Sequence, residues 1–171
     1  MLTRDYISTI AQAYDSAPIV TPEAYDAWEA LSNETAEHYH RISQCLSIGR
    51  TTNPNPYASS YDMLRDIAQG HIWVSTANSE HPLWTTEENV MFRVVHDIMG
   101  HGATGSGFDW TGENRAYANH LEHTVNPKAR LALFTEAIGQ VAFALDRGAF
   151  GVQKCALLPQ WLQFVTTKDA N

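Results

Sequence analysis

The chain has 171 residues and a mass of 19.1 kDa, the size of one domain, and its 44% hydrophobic and 18% charged content is that of an ordinary globule. Eleven Lys and Arg against nineteen Asp and Glu leave a net charge of −8, which argues against non-specific nucleic-acid binding, since that rests on cations neutralising phosphates. No run of 18 apolar residues suggests a membrane span, MLTRDYISTI is too polar for a signal peptide, and Cys45 and Cys155 make neither a disulfide framework nor a zinc ribbon, so a cytoplasmic protein without a membrane partner is expected.

In chain order, Thr3 is placed to cap a helix running to about Tyr14. Thr21-Pro22-Glu23 supplies a cap, a proline at the first helical position and an acid in the first turn, which predicts a helix to about Leu46. A polar loop follows from Gly49 to Ser59, whose two Asn-Pro steps break any helix. Ser60 is expected to cap the short helix YDMLRDIAQ, ended by Gly70, and HIWVS (His71 to Ser75) is the one segment with strand character. Thr85 and Thr86 with Glu87 and Glu88 open ENVMFRVVHDIM, which Gly100 is placed to end. A glycine-rich loop then leads to Thr111, the expected cap of ENRAYANHLEHTV. Asn126-Pro127 opens KARLALFTEAIGQVAFALDR, closed by Gly148. The expected fold class is mainly α: a compact helical single domain over residues 1–171 with at most a small β-hairpin near Trp73.

Residues that could carry chemistry concentrate in 85–159. The final long helix is apolar nearly all round, with Thr135, Glu136 and Gln140 the only polar residues between Leu131 and Leu145. Glu136 is therefore expected as a carboxylate in a core, paired with an arginine such as Arg93 or Arg115, or bound to a cation. Gln140, one turn on, is placed to hydrogen-bond it or a ligand. His96 and His101 lie about 140° apart on an ideal helix and converge only if the helix ends or bends between them, which Gly100 permits. Two imidazoles with one buried carboxylate make a set that binds a mononuclear metal on one face and leaves the other positions open.

His96-Asp97-Ile98-Met99-Gly100-His101 resembles the iron-binding His-[Glu/Asp]-x-x-Gly-His motif of the pterin-dependent aromatic amino acid hydroxylases, and Phe134-Thr135-Glu136-Ala137-Ile138-Gly139 resembles, with an offset of one residue, the helix that supplies their third ligand. The resemblance implies iron held by His96, His101 and Glu136, with Asp97 beside it, and an O2-dependent oxidation of a small-molecule substrate. It also implies a reduced pterin as co-substrate, although no pterin loop stands upstream and the chain is much shorter than a hydroxylase catalytic domain. Fe(II) is the expected metal, with Zn or Mn as alternatives. The stretch also looks like small proteins of phage and bacterial genomes; for a phage protein the compartment would be the host cytoplasm.

Glu113, Tyr117 and His120 share one helix face at spacings of four and three. Glu113 or His120 is expected either to orient a ligand imidazole or to act as a general acid or base, with a plain capping carboxylate as the bland alternative, and Tyr117 is a candidate cofactor contact. A ubiquinone-biosynthesis family that carries His-Asp-x-x-His followed by a glutamate has a gap comparable to that from His101 to Glu113, so Glu113 competes with Glu136 as the carboxylate ligand. Two other readings stand beside the oxidase: a metal-dependent phosphohydrolase of the His-Asp type, and a non-enzymatic helical metal-binding or structural protein. Gly102 to Gly107, with Phe108 and Trp110, is expected to shape access to the site.

Overall fold

The computed structural model describes residues 3–166 and is mainly α, as expected. Helix α1 (Thr3–Ser16) buries Tyr6, Ile10 and Tyr14, each four residues on from the last, so all three lie on one face. Helix α2 (Ala24–Ser43) buries Ala24, Ala27, Trp28, Leu31 and Thr35 at the same helical spacing. It starts two residues later than Thr21-Pro22 predicts, because Thr21 to Ala24 forms a separate turn, with the Ala24 N–H donating to the Thr21 carbonyl at 3.0 Å.

The β structure differs from the expected hairpin. Strand β1 (Ser47–Thr51) pairs in parallel with β2 (His71–Ser75), Gly49 opposite Trp73, and helix α3 (Ser60–Ala68) makes the crossover. A parallel pair cannot be closed by a tight turn, and the Asn-Pro steps followed by the Ser59 cap provide the longer connection. The glycine at the middle of β1 hid the strand in the sequence, yet a Cβ at Gly49 would stand 2.6 Å from the Trp73 ring that covers it.

Helix α4 (Thr86–His96) begins where Thr85, Thr86, Glu87 and Glu88 are expected to open it, and Thr85 and Glu88 form a capping box there. Gly100 does not end it: the chain runs on as a π-helical turn, Asp97–Gly102. Helix α5 (Trp110–His123) is capped by Asp109 rather than Thr111, its carboxylate accepting the Gly112 N–H at 2.7 Å. Gly112 packs so tightly on the preceding loop that a Cβ there would lie 2.0 Å from the Gly107 carbonyl oxygen. Helix α6 (Pro127–Phe134) opens at the Asn126 cap, passes through a second π-helical turn, Thr135–Gly139, and continues as α7 (Gln140–Arg147), closed by Gly148 at φ +80°. Helix α8 (Trp161–Thr166) follows.

One hydrophobic cluster joins α1, α2, α5, α6 and α7 through residues such as Tyr14, Trp28, Tyr117, Phe134 and Ala142, and a smaller one of Val74, Val90 and Val94 seats the sheet on α4. Among the described residues, no helix is long and apolar enough to cross a membrane.

Candidate metal centre

The π turn after α4 brings the two histidines of the motif together. On an α-helix they would diverge, but the i→i+5 repeat of a π turn returns the fifth residue to nearly the same face. The His96 and His101 rings stand 5.3 Å apart at 89°. Gly100 serves contact rather than termination: a Cβ there would lie 2.9 Å from the Ala116 Cβ and 3.1 Å from its carbonyl oxygen, so its absence lets the π turn press against α5. Asn119 of α5 donates to the Met99 carbonyl and ties the two segments further.

That approach delivers Glu113. Its Oε2 lies 3.4 Å from His101 Nε2 and 3.7 Å from His96 Nε2. With metal–ligand bonds of about 2.0–2.2 Å, neighbouring ligand atoms around one ion stand about 3–3.5 Å apart, so the observed spacings are within a few tenths of an ångström of a coordination edge. The opposite ring nitrogens face groups able to accept a proton: His96 Nδ1 lies 3.3 Å from His120 Nδ1, and His101 Nδ1 3.3 Å from the Ser106 hydroxyl. This is the outer partnering that fixes the tautomer of a ligand imidazole and frees its Nε2 for a metal.

The charges of the group are coupled. Burial pushes the Glu113 carboxyl up, but hydrogen bonds from His101 and His96 outweigh it and hold the group at about 2. Burial works against the His101 imidazolium, yet Glu113 and Asp97 raise it above the ordinary histidine value. Asp97 is raised by burial, partly offset by the two histidines. His120, buried beside His96, His38 and His123, is held well below the ordinary value and is therefore a neutral partner.

Glu136, predicted as the third ligand, belongs to a different group. Its Oε1 accepts from Trp28 Nε1 at 2.8 Å and from His81 Nε2 at 2.9 Å, and its Oε2 accepts from Gln140 Nε2 at 2.5 Å. Three N–H donors satisfy the buried carboxylate, so it needs neither a cation nor the arginine pairing considered from the sequence. Arg93 instead donates to the carbonyls of Ser75, Ala77 and Asn78, and Arg115 is exposed. Cys155 Sγ lies 3.5 Å from His81 Nε2, and His81, Glu136 and Cys155 form a second compact donor set. His81 Nδ1, however, faces two backbone N–H groups, of Leu83 and Trp84, and must accept. Its Nε2 thus carries the proton that Glu136 receives, which suits a hydrogen-bond network and not a metal ligand.

The remaining candidates divide as follows. Asp97 and Gln140 border the cavity of about 220 Å3 that opens between the histidine pair and Glu136, and the Gln140 amide is spent on Glu136. Tyr117 is fully buried against Phe134 in the main core and does not border the cavity beside the histidine pair. Phe108 lines the cavity as expected, whereas Trp110 packs edge-on against Tyr6. Sequence reasoning missed the partnership of Trp28, His81 and Cys155 with Glu136, and the part played by Pro54, Pro56 and Phe150 in the cleft mouth. These residues are scattered along the chain and carry no shared spacing.

Comparison of the chain with protein-family models, curated proteins and solved structures finds no match.

Proposed function

We propose that the protein is a mononuclear metal enzyme in which His96, His101 and Glu113 hold Fe(II), and that it carries out an O2-dependent oxidation of a small organic molecule. The observation that carries this reading is the convergence of two Nε2 atoms and one carboxylate oxygen at coordination spacing, with each imidazole oriented from behind. Two histidines and a carboxylate on one side of an ion are the ligand set of non-haem iron oxygenases, and the ion supplies oxygen activation when bound. The chain's own residues supply the rest: His120 and Ser106 orient the ligand rings, and Asp97 faces the cavity.

The cleft favours oxidation over phosphohydrolysis. Apart from the histidine pair, Arg93 is the one cation among the described residues lining it, and both terminal guanidinium nitrogens donate to backbone carbonyls. Away from the metal site itself, a phosphate there would meet Asp97 and Glu113, with the Arg93 terminal nitrogens already turned to carbonyls.

The test is metal analysis of anaerobically purified protein, followed by oxygen uptake with candidate substrates in the presence and absence of a reduced pterin. Stoichiometric iron and oxygen consumption support the reading. A protein that takes up neither iron, zinc nor manganese when they are offered sinks it, and phosphate release from nucleotides would transfer it to the hydrolase class.

A further inference from the structure

We propose that the cleft beside the histidine pair receives an uncharged, flat aromatic molecule bearing a hydroxyl group, a phenol, and that Asp97 accepts the hydrogen bond from that hydroxyl. That this molecule is the substrate of the oxidation rests on the function proposed above; that it binds in the cleft does not.

Three cavities, of about 490, 420 and 220 Å3, all reach Asp97, Phe108 and Phe150, so they are compartments of one cleft leading down to the histidine pair. Pro54 and Pro56, carried on the Asn-Pro loop between β1 and α3, form one wall of the two larger compartments, and Phe150, 73% exposed, stands at the mouth. Leaving a phenylalanine so open to water forgoes its burial, whereas a ring ligand seated against it and Phe108 would recover part of that energy. Walls made of proline edges and phenylalanine faces suit a flat ring.

Charge decides what the ring carries. Among the described residues, the only charged ones bordering the largest compartment are Asp97 and Glu113, and Arg93 at its neighbour has given its terminal nitrogens to carbonyls. With a net charge of −8 on the chain, a carboxylate, sulfonate or phosphate on the ligand would meet repulsion from Asp97 and Glu113, against a single arginine whose terminal nitrogens are turned to carbonyls. Asp97 borders all three compartments and its carboxyl has no hydrogen-bond partner among the described residues, which leaves it free to take one donor from a ligand. A single hydroxyl on an otherwise apolar ring meets that requirement, and the Arg93 guanidinium bordering two of the compartments opposes a cationic ring beside Asp97.

The experiment uses protein stripped of metal by chelation and dialysis, titrated with 2-naphthol and read by its fluorescence. The comparison ligands are 2-methoxynaphthalene, 2-naphthol-6-sulfonate and 1-naphthylmethylammonium. Naphthol is expected to bind most tightly, with the methyl ether about 3- to 10-fold weaker for want of the donor and the sulfonate weaker by at least as much. Phe150→Ala, a surface change that leaves the fold intact, is expected to weaken naphthol about 3- to 10-fold, and Asp97→Ala to abolish the preference for naphthol over its methyl ether. Equal or tighter binding of the sulfonate or the ammonium compound would overturn the assignment, as would failure of naphthol to saturate the protein or indifference to Phe150→Ala. Metal uptake measured on the same preparations separates the two claims. Naphthol binding without metal uptake defeats the proposed oxidation alone, and metal uptake without naphthol binding defeats the phenol assignment alone.

Discussion

His96 and His120 meet through their Nδ1 atoms at 3.3 Å, with the His96 Nε2 turned toward Glu113 on the other side of the ring. Burial keeps His120 neutral, so with its own proton on Nε2 its Nδ1 can accept a hydrogen bond from His96 Nδ1. In the tautomer with the proton on Nδ1, His96 would offer its Nε2 to a metal at the place where Glu113 and His101 converge.

Replacing His120 should therefore weaken metal binding without removing a ligand. His120→Leu is expected to lower affinity for Fe(II) or Zn(II) about 10- to 100-fold, as loss of an orienting partner does elsewhere. Chelator competition measures this, and an unchanged affinity would contradict the orienting role.

The two glutamates should respond oppositely. Glu113→Gln is expected to empty the metal site while leaving the fold intact. Glu136→Gln should retain the metal and lose about 1–3 kcal/mol of stability, because an amide cannot accept from Trp28, His81 and Gln140 as a carboxylate does. Metal content and denaturant unfolding of the purified variants distinguish these outcomes; metal lost from Glu136→Gln but kept by Glu113→Gln would restore the ligand set first expected from the sequence.

Gly100→Ala tests the contact that brings the π turn to α5. The added methyl has no room against the Ala116 Cβ and carbonyl, so a loss of roughly 1–3 kcal/mol and weaker metal binding are expected together. Thermal unfolding and metal titration report the two effects, and a variant as stable as wild type would show that the segments approach less closely.

The pH dependence follows from His101 and Glu113. In metal-free protein the His101 value is raised in the folded state, so its contribution to stability is fully present below the unfolded value and is lost as pH rises through the folded one. Glu113, held at about 2, contributes above its unfolded value and loses that contribution as pH falls toward 2. A metal must displace the His101 proton, so the stabilisation it confers should grow from about pH 6 to 8, the region around an ordinary histidine value, while this part of the metal-free stability declines. Melting temperatures with and without zinc across that range check the opposed slopes. A metal-induced increment that falls with pH would be inconsistent with His101 as a ligand.

Local rules in the sequence reached most of the helices. The Thr85–Glu88 capping box, Asn126-Pro127 and Gly148 all lie at the ends where residue type alone puts them, because a cap is decided within one turn of chain. The same locality explains the errors. HIWVS announced itself as a strand, but its partner is the glycine-centred Ser47–Thr51, and parallel pairing depends on a crossover that no local pattern encodes. Gly100 carried the signal of a helix end, whereas its role is set by Ala116 on another helix.

The site divides along the same line. Helical periodicity and hydropathy alone marked His96 and His101 as a pair needing a break in helical phase, and marked Glu136 as a buried carboxylate needing partners. Which carboxylate joins the histidines was decided by packing: Gly100 and Gly112 admit α5 closely enough for Glu113 to reach them, while Trp28, His81 and Gln140 surround Glu136 from three separate parts of the chain. Residue chemistry and spacing are properties of the sequence, but the convergence of side chains distant along it depends on backbone approach measured in tenths of an ångström, which only the tertiary structure sets.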